Sequence, residues 1–191
     1  MNAFDPMTFA PVLADLLRAQ RLPPLGPGRP DEAVRPRLEA LARDEAFAPH
    51  RVADPDMAAA CRAGLWLRFN SLDESHQVSQ GLDTAEGSYW HALMHRREGD
   101  FDNAKYWFRR VGRHPVFGPL GPEAAALVAA AGGPAPAPLT TQVPWDPFAF
   151  VDLCAACVRG RSAEEALCQQ VQRREWELLF DYCYRHAVGA G

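Results

Sequence analysis

Apolar side chains recur at helical intervals along nearly the whole chain. Leucine, valine, alanine and aromatic residues return every three to four positions, the spacing that places them on one face of an α-helix. The sequence contains no convincing run of alternating β-branched residues of the kind that indicates half-buried strands. The pattern therefore predicts an all-α fold of about eight or nine helices.

Start and stop residues set the helix boundaries. Three starts carry Asp at the N-cap and Pro at the first helical position: Asp5-Pro6, Asp54-Pro55 and Asp146-Pro147. Two further starts have the spacing of a capping box: Ser71 with Glu74 and Ser162 with Glu165. The first helix is predicted to reach about residue 20, the third to open at residue 54, and the others to span roughly 31–43, 72–80, 86–98, 101–113, 122–131, 146–160 and 162–186.

Residues 132–144, GGPAPAPLTTQVP, form the least regular segment of the chain. Their prolines favour a partly extended connection. The two helices that follow carry long apolar faces, which two helices alone could not bury. We therefore expect them to pack back on the preceding helices, so that residues 1–191 form a single domain.

Residues 86–115 combine small, aromatic and turn residues at defined spacings. The positions concerned are Ala92, Gly99-Asp100-Phe101, Ala104, Phe108 and Pro115. This arrangement resembles a tetratricopeptide helical hairpin, which implies two antiparallel helices joined at Gly99. No second copy follows at the family's period of roughly 34 residues, and a repeat scaffold needs about three units. We therefore expect one divergent hairpin within a non-repeating helical protein.

Composition and charge exclude several classes of protein. Of the 191 residues, 48% are hydrophobic and 23% are charged, as in ordinary soluble globular proteins. The net charge of −4 argues against broad binding of nucleic acid or of an anionic membrane. The N-terminal stretch lacks the early basic residues and the apolar run of a signal peptide. We expect a cytoplasmic protein.

The five cysteines fit a reducing compartment, because their number is odd and they lie within helical segments. Cys154 and Cys157 form a CxxC pair in the middle of a predicted helix, on an apolar stripe. No second pair with metal-binding spacing accompanies them. We expect packed, reduced thiols at these positions, and the same at Cys168 and Cys183.

Histidine and arginine are concentrated in residues 88–115, which hold three of the six histidines. His91, His95 and Glu98 stand at i, i+4 and i+7 and share one arc of a helix. Two imidazoles and a carboxylate can bind a divalent ion such as zinc and leave a fourth position for water. His76, on the preceding helix, would add a third imidazole if the two polar arcs face each other. The same spacing is typical of a polar surface with ordinary ion pairs.

A second polar set follows on the next predicted helix. Asn103 and Arg110 are nearly superposed at i and i+7, Trp107 borders their arc, and His114 lies just beyond. With His76, these side chains would suit a small carboxylate or phosphate ligand. Between residues 91 and 114, six basic residues face three acidic ones, a local balance of +3. A surface lattice of salt bridges would use the same residues.

The last predicted helix is apolar on more than one side, which is typical of a central helix. Glu177, Asp181 and Arg185 stand at i, i+4 and i+8 and predict a line of ion pairs. Because the helix is expected to be central, its acidic residues are expected to meet the arginines of the hairpin inside the protein. Buried charges of this kind need partners.

Two functional hypotheses of different classes follow. In the first, the 72–80 helix and the 88–115 hairpin build a polar pocket that binds a metal ion or a small anion and supports metal- or histidine-assisted hydrolysis. In the second, the hairpin is a protein-interaction module whose exposed Arg96, Arg109 and Arg113 bind an acidic partner. The sequence predicts neither nucleic acid nor membrane as a partner, and it is compatible with a homo-oligomer.

Overall fold

The computed structural model describes residues 4–19, 21–41, 44–132, 136–140 and 145–190, and within these ranges it contains helices and no strands. The predicted all-α fold is confirmed. None of the helices in these ranges is both long and apolar enough to cross a bilayer. The helices, apart from two short 3-10 turns at Pro6–Thr8 and Asp44–Phe47, are α1 (Pro11–Leu17), α2 (Arg35–Ala40), α3 (Pro55–Arg68), α4 (Leu72–Gln80), α5 (Ala85–Glu98), α6 (Phe101–Val111), α7 (Phe117–Ala131), α8 (Ala137–Thr140), α9 (Pro147–Val158) and α10 (Glu165–Ala187).

The predicted first helix, from Asp5 to about residue 20, is interrupted. The Asp5 carboxylate accepts a hydrogen bond from the Met7 amide at 2.9 Å, as an N-cap does, but only a 3-10 turn follows. The chain begins again with α1 at Pro11 and leaves the helix after Leu17. Proline lacks an amide hydrogen and its ring clashes with a preceding helical turn, so a continuous helix through Pro11 was the wrong prediction.

Two other helix boundaries differ from those predicted. The helix expected over 31–43 is reduced to Arg35–Ala40. α7 starts at Phe117, five residues before the expected 122, and carries Pro122 within it. A proline in this position costs the helix one backbone hydrogen bond, which the helix tolerates in its second turn. The predicted connection 132–144 contains the short helix α8, while its residues 133–135 and 141–144 lie outside the described residues.

The Asp-Pro starts form as predicted at α3 and α9, whereas the capping boxes do not. The Asp54 carboxylate accepts from the amides of Asp56 and Met57, and Asp146 caps α9 in the same way. Ser71 occupies the N-cap position of α4, but its hydroxyl caps no amide there. The Ser162 hydroxyl accepts from the Glu164 amide at 3.3 Å, before α10 begins, so it does not cap the helix.

Helices α5 and α6 form an antiparallel hairpin around Gly99. This glycine takes φ = 94°, a conformation that costs a side-chain-bearing residue energy. The amides of Gly99 and Asp100 both donate to the His95 carbonyl at 3.0 Å, which closes the end of α5. Ala92 and Ala104 are fully buried. Small side chains therefore stand in the core of a hairpin, while membership of the tetratricopeptide family stays a prediction.

The long helix α10 packs against α3, α7 and α9. Its Trp176 indole nitrogen donates to the Gly64 carbonyl of α3 at 2.8 Å. On the same residue of α3, the Trp90 ring of α5 lies so close that a Cβ on Gly64 would stand 2.7 Å from it. Glycine at position 64 therefore allows the Trp90 ring of α5 to pack directly on α3.

Candidate metal centre

Three imidazoles meet where α4 packs against α5. The Ser75 hydroxyl of α4 donates to the Ala63 carbonyl of α3 at 2.9 Å, which anchors α4 on its neighbour. His76 follows on the next position of α4, and His91 and His95 stand one turn apart on α5. One ring nitrogen from each of the three histidines lies within 4.8 Å of the others. The polar arcs of the two helices therefore do bring these histidines together.

The three rings adopt two orientations. His91 and His95 are stacked, with ring centroids 4.8 Å apart and planes 20° apart. The His76 ring stands nearly perpendicular to the His91 ring, at 82° and 4.5 Å between centroids. His91 is 2% exposed and His95 6% exposed, whereas His76 is half-buried. The cluster therefore reaches solvent on the side of His76.

His91 is the innermost of the three. Its ring lies flat on Trp107, with centroids 3.9 Å apart and planes 14° apart. Both of its ring nitrogens are buried without a hydrogen-bond partner among the described residues. Burial, together with smaller effects of the nearby His95 and His76, lowers the pKa of His91 to about 3. His91 is therefore neutral at pH 7, the form in which imidazole binds metals.

His95 has a defined tautomer. Its Nδ1 lies 2.9 Å from a carboxylate oxygen of Glu98, which can only accept, so Nδ1 carries the hydrogen. Its Nε2 lies 3.1 Å from the amide nitrogen of Asn103, which can only donate, so Nε2 presents a lone pair. Glu98 was expected as a metal ligand. The structure places it behind His95, where a carboxylate orients a ligating imidazole.

The arginines that follow on α5 bind elsewhere. Arg96 is fully buried and donates to Glu175 of α10 at 2.5 Å. Arg97 is 2% exposed and donates to the Gly26 carbonyl at 2.8 Å. The expectation that Arg96 lies on an exposed interaction surface is therefore wrong, because α5 is buried on almost every side. Arg109 and Arg113 are exposed, as that hypothesis requires.

Arg96 belongs to a buried network that the sequence did not predict in detail. The Tyr89 hydroxyl donates to one oxygen of Glu175 at 2.9 Å, and Arg96 donates to the other. Burial opposes the charge on Arg96, but Glu175 outweighs this effect and raises the pKa of Arg96. An acidic residue of the last helix does meet a hairpin arginine, but it is Glu175. The expected Glu177 instead pairs with Arg173 at 3.2 Å.

The expected anion-binding residues of α6 have partners of their own. The Arg110 guanidinium lies 5.1 Å from the centroid of the Trp107 ring. It also donates to Asp83 at 3.2 Å. Asn103, as described, donates to His95. Trp107 and Asn103 thus border the histidines, and Arg110 covers the outer face of Trp107 while already paired with a carboxylate.

His114 lies in a different part of the core. Its Nδ1 accepts from the Val116 amide at 3.2 Å, and its Nε2 lies 3.4 Å from Glu86. The Tyr89 and Tyr182 rings pack against it. Burial would raise the pKa of Glu86, but His114, the backbone amide of Glu86 and Thr84 together outweigh burial and lower it. His114, expected to bind ligand beside Arg110, is instead a buried partner of Glu86.

The cysteines are packed thiols, as predicted. All five are free and buried. The sulfur atoms of Cys157 and Cys168 lie 3.8 Å apart, too far for a disulfide bond. Burial raises the pKa of Cys61 well above its ordinary value, which leaves that thiol protonated and unreactive.

Comparison with protein-family models, with curated proteins and with solved structures finds no match to this chain. In the part of the chain that the structure describes, His76, His91 and His95 are the one group of three or more candidate metal ligands that converge. Three imidazole nitrogens with one solvent-facing side match the donor set of a mononuclear zinc site.

Proposed function

We propose that the protein binds a divalent transition metal, in the first instance zinc, through His76, His91 and His95. One observation carries the proposal: three ring nitrogens converge within 4.8 Å. Support comes from His91, whose two buried nitrogens have no hydrogen-bond partner in the described chain. A buried polar group without a partner costs about 1–3 kcal/mol, and a metal bound to His91 would offset part of that cost.

Metal binding would require the three histidine nitrogens to move closer together. A tetrahedral zinc ion with Zn–N distances of about 2.0–2.1 Å places its nitrogens roughly 3.3 Å apart. The present separations, up to 4.8 Å, would have to shorten to that value through rotation of the three imidazoles. His95 already has the required tautomer, because Glu98 holds the hydrogen on Nδ1. The Asn103 amide must turn away from Nε2 when the metal binds.

Three imidazoles would leave a fourth position on the metal, on the half-buried side next to His76. A water in that position would lose a proton near neutral pH, since zinc lowers the pKa of bound water to about 7. The displaced Asn103 amide would then donate to the bound water or to a substrate oxygen. Metal-assisted hydrolysis is the reaction class that this arrangement fits best.

The test begins with elemental analysis of the untagged protein, first as purified and then after zinc, iron and manganese are added back. We expect close to one metal ion per chain in the wild type and none in the double variant His91→Ala/His95→Ala. His50→Ala is the matched control, since His50 is exposed and outside the triad. A wild type that stays metal-free after metals are added, or a double variant that keeps its metal, would refute the proposal.

A further inference from the structure

A second polar site lies in a cleft enclosed by α3, α5, α10 and residues 21–24. Its cavity volume is about 50 Å³. Since about 10–15 Å³ on this measure holds one water, the cavity fits a group of several heavy atoms. All the charged side chains that line it, among the described residues, are arginines: Arg21, Arg68, Arg96, Arg97 and Arg173.

Carboxylates neutralise three of these five arginines. The pairs are Arg21 with Asp31 at 2.8 Å, Arg96 with Glu175 at 2.5 Å and Arg173 with Glu177 at 3.2 Å. These acidic partners are not themselves part of the cleft lining. The three arginines therefore contribute little net charge to the cleft, and its positive charge comes mainly from the other two, Arg68 and Arg97.

Arg68 and Arg97 bind only neutral oxygen atoms in the described chain. Arg68 donates to the Ala19 carbonyl at 2.6 Å, and its Nε is buried without a partner. Arg97 donates to the Gly26 carbonyl at 2.8 Å and to the Asn70 side-chain oxygen at 2.7 Å. Two guanidinium groups without carboxylate partners therefore lie in one cleft.

Both guanidinium groups are withdrawn from water. Burial lowers the pKa of Arg68 to about 10, so that it remains charged at pH 7, and Arg97 is 2% exposed. A buried charge is tolerated when it is paired, so an anion between these guanidinium groups would supply what the protein itself does not.

Gln172, a neutral residue of the cleft lining, restricts which anions the cleft can bind. Gln172 is 4% exposed, and its side-chain nitrogen donates to the Pro24 carbonyl at 3.0 Å. Its carbonyl oxygen is buried without a partner and can only accept. A fitting ligand therefore offers negative oxygens to Arg68 and Arg97 and a hydroxyl to Gln172. Hydrogen phosphate and a singly protonated phosphate monoester have both, whereas sulfate at neutral pH has no hydroxyl.

We propose that this cleft binds a phosphate group through Arg68, Arg97 and Gln172. Guanidinium groups present their donors in a planar fork that matches phosphate oxygens. The cavity has room for one phosphate group, and the organic part of a phosphate monoester would extend out through the open side of the cleft. The site is separate from the histidine triad and does not depend on metal binding there.

Isothermal titration of the metal-free protein with inorganic phosphate, at fixed ionic strength and with a chelator, tests the proposal. Glycerol phosphate is titrated in parallel as a monoester probe, and sulfate as the anion without a hydroxyl. We expect phosphate to bind at least tenfold more tightly than sulfate. Arg68→Gln should weaken phosphate binding at least tenfold, while Arg62→Gln, on the same helix outside the cleft, should not change it. Tighter binding of the monoester would identify a phosphorylated ligand, and equal binding a free phosphate site.

A second variant keeps the test decisive if Arg68→Gln fails to fold. Gln172→Leu leaves every arginine in place and removes the acceptor for the ligand hydroxyl. It should abolish the preference for phosphate over sulfate while circular dichroism stays unchanged. Equal affinity of the wild type for phosphate and sulfate, an absence of phosphate binding, or an undiminished preference in Gln172→Leu would overturn the assignment.

Discussion

Two buried polar clusters lie along the single helix α5, and they differ in whether a buried charge is paired with an opposite charge. In the first, Arg96 and Tyr89 donate to the two oxygens of Glu175, and Arg96 and Glu175 are fully buried. In the second, Glu98 contacts only His95 of the three histidines, and both ring nitrogens of His91 have no partner in the described chain. The charges of the first, closed cluster are paired, although two nitrogens of Arg96 have no hydrogen-bond partner among the described residues, whereas the second, open cluster presents the unused nitrogens of His91.

The difference distinguishes polar residues that stabilise the fold from polar residues that could bind a ligand. In a buried ion pair each charge is already compensated, and removing one member leaves an uncompensated charge. A buried imidazole with unused nitrogens is costly for folding alone, and that cost is a reason to look for a bound ion. The comparison thus predicts that one cluster controls stability and the other controls metal affinity.

The largest effect is expected from the closed cluster. Glu175→Ala should lower the free energy of unfolding by about 3–5 kcal/mol, because it leaves the Arg96 charge buried without its partner. Urea unfolding followed by circular dichroism measures the change. Glu165→Ala, an exposed position at the start of the same helix, serves as the control. A loss below about 1 kcal/mol would show that the pair is not as isolated from water as its burial indicates.

Zinc should produce the next largest effect, through the open cluster. At a free zinc concentration of 100 times the dissociation constant, a site present only in the folded state adds about 2.7 kcal/mol to stability. The melting temperature of the wild type should rise with zinc, and that of His91→Ala/His95→Ala should not. Equal shifts in both proteins would contradict the assignment of the site to these histidines.

Acid should also destabilise the protein through the open cluster, gradually over several pH units. Because the pKa of His91 falls from about 6.5 in the unfolded chain to about 3 in the fold, the unfolded state binds more protons between these values. The stabilising contribution of neutral His91 is present above pH 6.5 and is lost as pH falls towards 3. The slope is at most about 1.4 kcal/mol per pH unit.

Urea unfolding of the metal-free protein at a series of pH values measures this slope. Other groups titrate in the same range, so the informative quantity is the difference between wild type and His91→Leu. That difference should shrink as pH falls, and His50→Gln should follow the wild type. A difference that is constant with pH would mean that folding does not shift the pKa of His91.

The smallest effect on stability and zinc affinity is expected from Asp83, at the exposed edge of the site. Asp83 pairs with Arg110 at 3.2 Å, but its side chain is 97% exposed. Solvent screens such a pair and removes most of its contribution. Asp83→Ala should therefore leave both the urea midpoint and the zinc affinity of the protein within experimental error. A clear loss of zinc affinity would mean that Arg110 takes part in the site more directly than its contacts indicate.

The sequence predicted His91 and His95 as metal ligands, with His76 joining them if the two polar arcs faced each other, because local rules were sufficient there. His91 and His95 stand one helical turn apart, and the short connection from α4 makes His76 a neighbour. The same rules misplaced Arg96, because they assumed that α5 has a solvent-facing side. The structure buries α5 from Glu86 to Arg97. A helix surrounded by others cannot be divided into core and surface by periodicity alone.

The remaining misses also have physical causes. Arg96 and Glu175 are 79 positions apart, so their pairing depends on how α10 crosses α5 and leaves no local signal. The role of Glu98 depends on which side-chain rotamer meets His95 Nδ1, and spacing along a helix does not specify this. Pro11 did carry a local signal, since proline after a short turn predicts a new helix start.

X-ray absorption at the zinc edge of the loaded wild-type protein, beside His76→Gln, tests the metal site most directly. We expect three imidazole nitrogens at about 2.0–2.1 Å from zinc in the wild type. In His76→Gln, the number of imidazoles should fall to two. A wild-type spectrum with fewer than three imidazoles, or one that is unchanged in His76→Gln, would contradict the assignment of zinc to this triad.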